Sequence, residues 1–187
     1  TYSDCTIKVT DSSGNGSNTL AITDFTVTYW ELIARQADIN AQEFDSGAKT
    51  SFLEHEDDPS NSTFMSIGNL TPSNYVTDGK YKFKLEWDGL EMASEANKSV
   101  TWTQTTWLTA STTQGFQEIG TSGYVNNSSS GFRELAKSTS TSCVIDGDGG
   151  SHSYWFNCVG VLVGWTGAMP GPLGKKASSM YLYIWVP

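Results

Sequence analysis

Between Cys143 and Cys158 the chain reads Cys-Val-Ile-Asp-Gly-Asp-Gly-Gly-Ser-His-Ser-Tyr-Trp-Phe-Asn-Cys, a carboxylate-bearing, glycine-loosened loop between two strand-like runs. Such a loop can hold a hard cation. Asp146 and Asp148 supply oxygen donors two residues apart. Gly147, Gly149 and Gly150 let the backbone adopt positive φ and turn its carbonyls inward, with Gly147 expected to be the hinge. Ser151 and Asn157 add neutral oxygens, so the donor set is of the calcium (Ca2+) type. The spacing is not that of an EF-hand: counting from Asp146, Ser151 stands where that loop requires glycine and Asn157 where it requires a bidentate acid. A plain Asp-Gly hairpin turn accounts for the same residues without a metal.

Other chemistry finds little support. A nucleophile-histidine site requires a histidine near a poised serine or cysteine. Only His55 and His152 are present, and no serine stands in a nucleophile elbow. A zinc site would need closely spaced His or Cys, and no H-E-x-x-H occurs. Gly164 to Gly174 is rich in glycine and proline but lacks the lysine and the strand-turn-helix setting of a phosphate loop. The chain is therefore expected not to be an enzyme, although paired carboxylates of a polysaccharide-active enzyme would leave no local signature.

The elements that would position these residues read as strands. Tyr81, Phe83, Leu85 and Trp87 alternate with Lys80, Lys82, Lys84 and Glu86 between Asp78-Gly79 and Asp88-Gly89 turns, which predicts an antiparallel strand with one buried side. Tyr181 to Val186 is apolar on both faces and is expected to be a central strand. Phe25 to Ala34, Val100 to Trp107 and Trp155 to Val163 are further strand candidates. Gly131 to Lys137 is expected to form a turn or two of helix, and Ala34 to Phe44 a short helix or a bulged strand. These short strands predict an all-β fold, an antiparallel β-sandwich of jelly-roll type with long surface loops and at most one or two short helices.

A chain of 187 residues suffices for one domain with its own core. It begins at Thr1 without an initiator Met and ends at Pro187, so residues 1–187 are expected to be one ligand-binding domain cut from a larger surface protein. The net charge of −9 disfavours nucleic acid and anionic membranes and suits cation binding. No apolar run reaches membrane-spanning length, and no membrane insertion is expected. Abundant Ser and Thr with few Lys fit an extracellular, cell-surface module. Of the three cysteines, Cys143 and Cys158 either bridge the base of the acidic loop, leaving Cys5 over, or all three are buried thiols.

Four blocks stand in order along the chain: Tyr29-Trp30-Glu31-Leu32-Ile33-Ala34-Arg35-Gln36; Glu56-Asp57-Asp58-Pro59-Ser60-Asn61; Gly131-Phe132-Arg133-Glu134-Leu135 leading into Val144-Ile145-Asp146-Gly147; and Tyr154 to Gly160 with Met169-Pro170-Gly171-Pro172 before Leu182 to Val186. Together they resemble the peptide-binding domain near the tip of giant repeat-in-toxin (RTX) adhesins of Gram-negative bacteria, with relatives in marine eukaryotes. The resemblance implies a monomeric, calcium-dependent β-sandwich that binds the free C-terminus of a peptide or protein on a target cell, the terminal carboxylate helping to coordinate the ion. Three cysteines, and the loop enlarged by Asp148-Gly149-Gly150, depart from that family's pattern.

On this reading Asp146 and Asp148 are calcium ligands, and Asp57 and Asp58, in the polar turn ending at Pro59, ligate the same ion or a second one. Gln36 would bond a ligand backbone and Arg35 stands beside it, with a surface ion pair as its ordinary fate. His152, Trp155 and Ser151 would line the pocket, while Met169 to Pro172 would form a stiff surface loop near its mouth. The alternative partner is a glycan. In that lectin-like case the ion would take vicinal hydroxyls and Trp155 or Trp107 would stack on the sugar.

Overall fold

The computed structural model describes residues 27–37, 43–125, 132–133, 135–137, 143–147, 157–162 and 167–187. Asp148, Ser151, His152 and Trp155, proposed above as ligands or pocket residues, lie outside them, as does Cys5.

Alternation builds the main sheet. The strand Tyr81–Asp88 (β3) buries Phe83, Leu85 and Trp87 and turns Lys82, Lys84 and Glu86 outward. It is entered through Asp78 and Gly79, both at positive φ (52° and 74°), which let Thr77 and Lys80 exchange hydrogen bonds of 2.9 and 3.0 Å. Positive φ at both central residues is what a tight hairpin turn demands, and Asp-Gly adopts it readily. Ser179–Val186 (β10) lies centrally, paired with β3 on one side and with Tyr29–Ala37 (β1) on the other. Adding Thr63–Met65 (β2), Ser99–Gln104 (β4) and Gln117–Glu118 (β5) gives six strands in the order β2-β1-β10-β3-β4-β5, every pair antiparallel.

The inner face of this sheet, with Ile33, Phe83, Trp102, Leu182 and Ile184, packs against a second layer of loops and short ribbons. One ribbon pairs Ala136–Lys137 (β6) with Ile145–Asp146 (β7), and another pairs Met169–Pro170 (β8) with Lys176–Ala177 (β9). The fold is thus the expected all-β antiparallel arrangement. Its helical content among the described residues is the four-residue helix Ala48–Ser51 (α1) and short 3-10 turns. None of the described helices is long and apolar enough to cross a membrane.

The sheet register slips between Leu32 and Ala34, which makes Ile33 the extra residue of a β-bulge. Regular alternation from Trp30 would place residue 36 on the same outer face as Trp30 and Leu32. The bulge inverts that: Arg35 pairs outward with Tyr181, and Gln36 turns fully into the core.

Two local expectations are corrected. The described part of Gly131 to Lys137 is not helical. Phe132 bridges Val125, and its ring lies 4.7 Å from that of Trp102, so burial of Phe132 and Leu135 pins the segment across the core as extended chain. Met169 to Pro172 is not a surface loop either. Met169 and Pro170 form β8 and all four residues are buried, because the ribbon with β9 lays them on the sheet.

Candidate functional site

Val144 and Ile145 are apolar and buried, and they carry Asp146 into a short stretch of sheet. On one side Asp146 pairs with Ala136. On the other, Ile145 faces Val159, whose N–H donates to the Ile145 carbonyl at 2.9 Å while the Val144 N–H donates to the Val159 carbonyl at 3.0 Å. Cys143 and Cys158 are joined in a disulfide with their Cα atoms 6.1 Å apart, so the open choice between a bridge and free thiols resolves to the bridge. The bridge closes the base of the acidic loop at the point where these backbones already pair.

Asp146 emerges from this frame only 4 % exposed, and Asn157 is fully buried. Gly147 sits between Asn157 and Phe132: a Cβ added to it would stand 2.9 Å from the Asn157 Cβ and 2.9 Å from the Phe132 ring. Its carbonyl accepts the Arg133 N–H at 3.0 Å. The expected hinge role of Gly147 is corrected here, because its φ is not positive and glycine is required for space. The left-handed residue is Asn157, at φ 53°, a conformation asparagine tolerates better than most side chains.

Gln36 comes to this region from the opposite sheet. Its Nε2 donates to the Val161 carbonyl at 2.9 Å, and its Oε1 accepts the Gly160 N–H at 3.1 Å. The amide thus ties β1 to the same 157–161 segment that pairs with β7, an internal task for a side chain expected to meet a ligand backbone. Arg35 points the other way. Its guanidinium stands over the Tyr181 ring at 5.9 Å and donates to the Ser60 carbonyl, so its partners are a ring and a backbone oxygen.

Asp57 and Asp58 are exposed in the turn before β2. Asp58 accepts the Ser60 hydroxyl at 2.5 Å and the Ser60 N–H at 3.0 Å, and these bonds, the hydroxyl foremost, hold its carboxyl below the ordinary aspartate range. The turn is anchored to β1 through Arg35 and Ser60. No described contact joins it to Asp146, and among the described residues no three His, Cys, Asp or Glu converge as a metal-binding group.

The donors around Asp146 still have a definite character. Asp146 and Asn157 offer carboxylate and amide oxygens, and the disulfide removes two thiols from use as ligands. Such an oxygen set suits calcium or magnesium and is a poor match to zinc or copper. No family model, curated protein or solved structure matches the chain.

Proposed function

We propose that this domain is a calcium-dependent ligand-binding module of an extracellular adhesin, and that its ligand is the free C-terminus of a peptide or protein. The observation that carries this reading is the Asp146 carboxylate, held 4 % exposed at the end of β7 in a segment bounded by a disulfide. A carboxylate fixed by the sheet at a loop base presents its oxygens from a defined position, as a hard cation requires. Asp146 and Asn157 would contribute oxygens to the ion, Asp148 and Ser151 of the same loop being further donors in sequence.

Bound calcium supplies the positive charge that a ligand carboxylate requires in an acidic protein. The protein's own part is to keep the donors in place. The disulfide, the Val159 pairing and the Gln36 amide fix the strand ends before any ligand arrives, which lowers the ordering cost of binding. The glycan alternative has less to rest on. Trp107, one of its two stacking candidates, is already packed against Tyr75 at 6.1 Å and Tyr81 at 5.0 Å.

Calorimetric titration with matched peptides carrying free or amidated C-termini, each with calcium and with chelator, tests the reading. Binding is expected for the free acid in calcium alone. Equal binding of the amidated peptide, or undiminished binding in chelator, overturns it.

A further inference from the structure

The outer face of the six-stranded sheet carries aromatic rings with lysines laid over them. Leu182 and Ile184 are buried on the inner side of β10, which leaves Tyr183 and Trp185 facing outward. Trp30 on β1 stands in register with Trp185, and the two rings meet edge to face with centroids 5.4 Å apart. From β3, the Lys82 Nζ lies 4.4 Å from the Trp185 centroid and 5.3 Å from that of Trp30. The Lys84 Nζ lies 4.5 Å from the Tyr183 ring and 5.2 Å from Trp30. Two ammonium groups are thereby held at fixed positions above an aromatic floor, so less side-chain freedom is lost when they meet an anion.

Basic side chains gather along the strands of this face. The net charge is −9, yet Lys80, Lys82, Lys84 and Arg35, four of the 11 basic residues, lie along it. Lys84 is paired with Glu86 at 2.9 Å, whereas Lys82 makes no ion pair among the described residues. Grooves of about 450 Å³, walled by Lys80, Lys82, Gln117 and Trp185, and about 520 Å³, walled by Trp30, Tyr183 and Phe64, flank the ladder. Among the acids beside it, Asp78 lines the first groove, Glu31 and Glu56 line the second, and Asp88 at the end of β3 is paired with Lys98.

The backbones of β1, β10, β3 and β4 are hydrogen-bonded to neighbours on both sides, so no extended peptide can add to the sheet here. Recognition must go through side chains. The face offers flat apolar rings, the hydroxyls of Thr101 and Thr103, the Gln117 amide and fixed ammonium groups, and these match a sugar ring with an apolar C–H face, a hydroxyl rim and a carboxylate. We propose that this face binds an acidic, uronate-bearing polysaccharide without calcium, at a site separate from Asp146.

Titration of the whole chain with an oligogalacturonate of defined length, in chelator and followed by tryptophan fluorescence, tests this. Binding is expected to weaken with salt and to exceed that of a neutral cello-oligosaccharide and of polyglutamate. Lys82→Gln is expected to reduce affinity several-fold and Trp185→Ala about tenfold, the equivalent of one well-placed ring contact. Asp146→Asn is expected to leave it unchanged. No binding in chelator, equal affinity for the neutral sugar or for polyglutamate, or an unaltered Lys82→Gln variant overturns the proposal. Lys82 lies on the surface, so that variant decides the matter even if Trp185→Ala fails to fold.

Discussion

Gln36 and Gly160 lie 124 residues apart in sequence, yet the Gln36 Oε1 accepts the Gly160 N–H at 3.1 Å while the same amide's Nε2 donates to Val161 at 2.9 Å. One buried side chain thereby serves as a short piece of sheet edge, pairing with two successive backbone groups of the 157–161 segment. The bulge at Ile33 makes this possible by turning Gln36 inward.

Truncating that amide leaves a buried N–H and a buried carbonyl unsatisfied. Gln36→Ala is expected to cost about 2 to 4 kcal/mol. In a domain of this size that corresponds to a fall in melting temperature on the order of 10 °C. Gln36→Glu loses the donor to Val161 and is expected to destabilise as well. Denaturant unfolding checks both; a Gln36→Ala midpoint equal to that of the wild type would remove Gln36 from its role as the tie between β1 and the 157–161 segment.

The disulfide makes a separate contribution. Cys143 and Cys158 are 15 residues apart, and closing a loop of that length restricts the unfolded chain by an amount worth about 3 kcal/mol. The Cys143→Ala/Cys158→Ala double variant is expected to unfold at correspondingly lower denaturant, and reductant is expected to shift the wild type in the same direction. Thiol titration of the denatured, unreduced chain is expected to find one free thiol, that of Cys5, and three would contradict the bridge.

Much of the sheet was legible because its signals are local. Alternating lysines and aromatics bounded by two Asp-Gly turns predict β3 to within a residue, and the apolar run before Pro187 marks a central strand. The bulge at Ile33 has no such mark, since no glycine or turn residue announces it, and a slip of one residue reverses which face Gln36 and Arg35 occupy. Asp146 is proposed as a ligand from its own chemistry, and its burial at the end of β7 has no local mark in the sequence. The reason for Gly147 was misjudged because it depends on Phe132, whose position no local pattern reveals. The Trp30–Trp185 contact depends on strand register and was equally out of reach.

Alkaline pH is expected to weaken the fold through its tyrosines. Burial, reinforced by the neighbouring Glu86 charge, pushes the Tyr183 hydroxyl up to about 12, and burial also raises Tyr75 and Tyr124. A group with a raised folded-state pKa binds its proton more tightly when folded, so its stabilisation is present below pH ~10, the unfolded value, and is lost as pH rises toward 12. Unfolding free energy measured from pH 9 to 12 is expected to fall, and Tyr183→Phe, which cannot ionise, is expected to flatten the slope. An identical slope in that variant would exclude Tyr183 as a source.

Gly147 offers a steric test. Gly147→Ala would press a methyl group against the Asn157 Cβ and the Phe132 ring, each at 2.9 Å, and neither neighbour is a flexible side-chain end. A destabilisation of about 1 to 3 kcal/mol is expected, as for other overpacked sites. Gly147→Ala with Phe132→Leu, which shortens the opposing ring, is expected to lose less than the sum of the two single changes. Strict additivity in denaturant unfolding would show that the two residues do not press on one another.

Asp146→Asn separates a cation-holding aspartate from a structural one. If the carboxylate's task is to hold calcium, Asp146→Asn keeps the side chain's shape and removes the charge the ion needs, so the loss is expected in the calcium response. Adding calcium is expected to stabilise the wild type by about 2.7 kcal/mol at one hundred times the dissociation constant. The same addition is expected to leave Asp146→Asn nearly unmoved. A purely structural aspartate gives the opposite pattern, with the variant destabilised in chelator and neither protein responding to calcium. Melting curves of the two proteins with and without the ion therefore distinguish the two roles, and a calcium shift of equal size in both would place any ion elsewhere in the molecule.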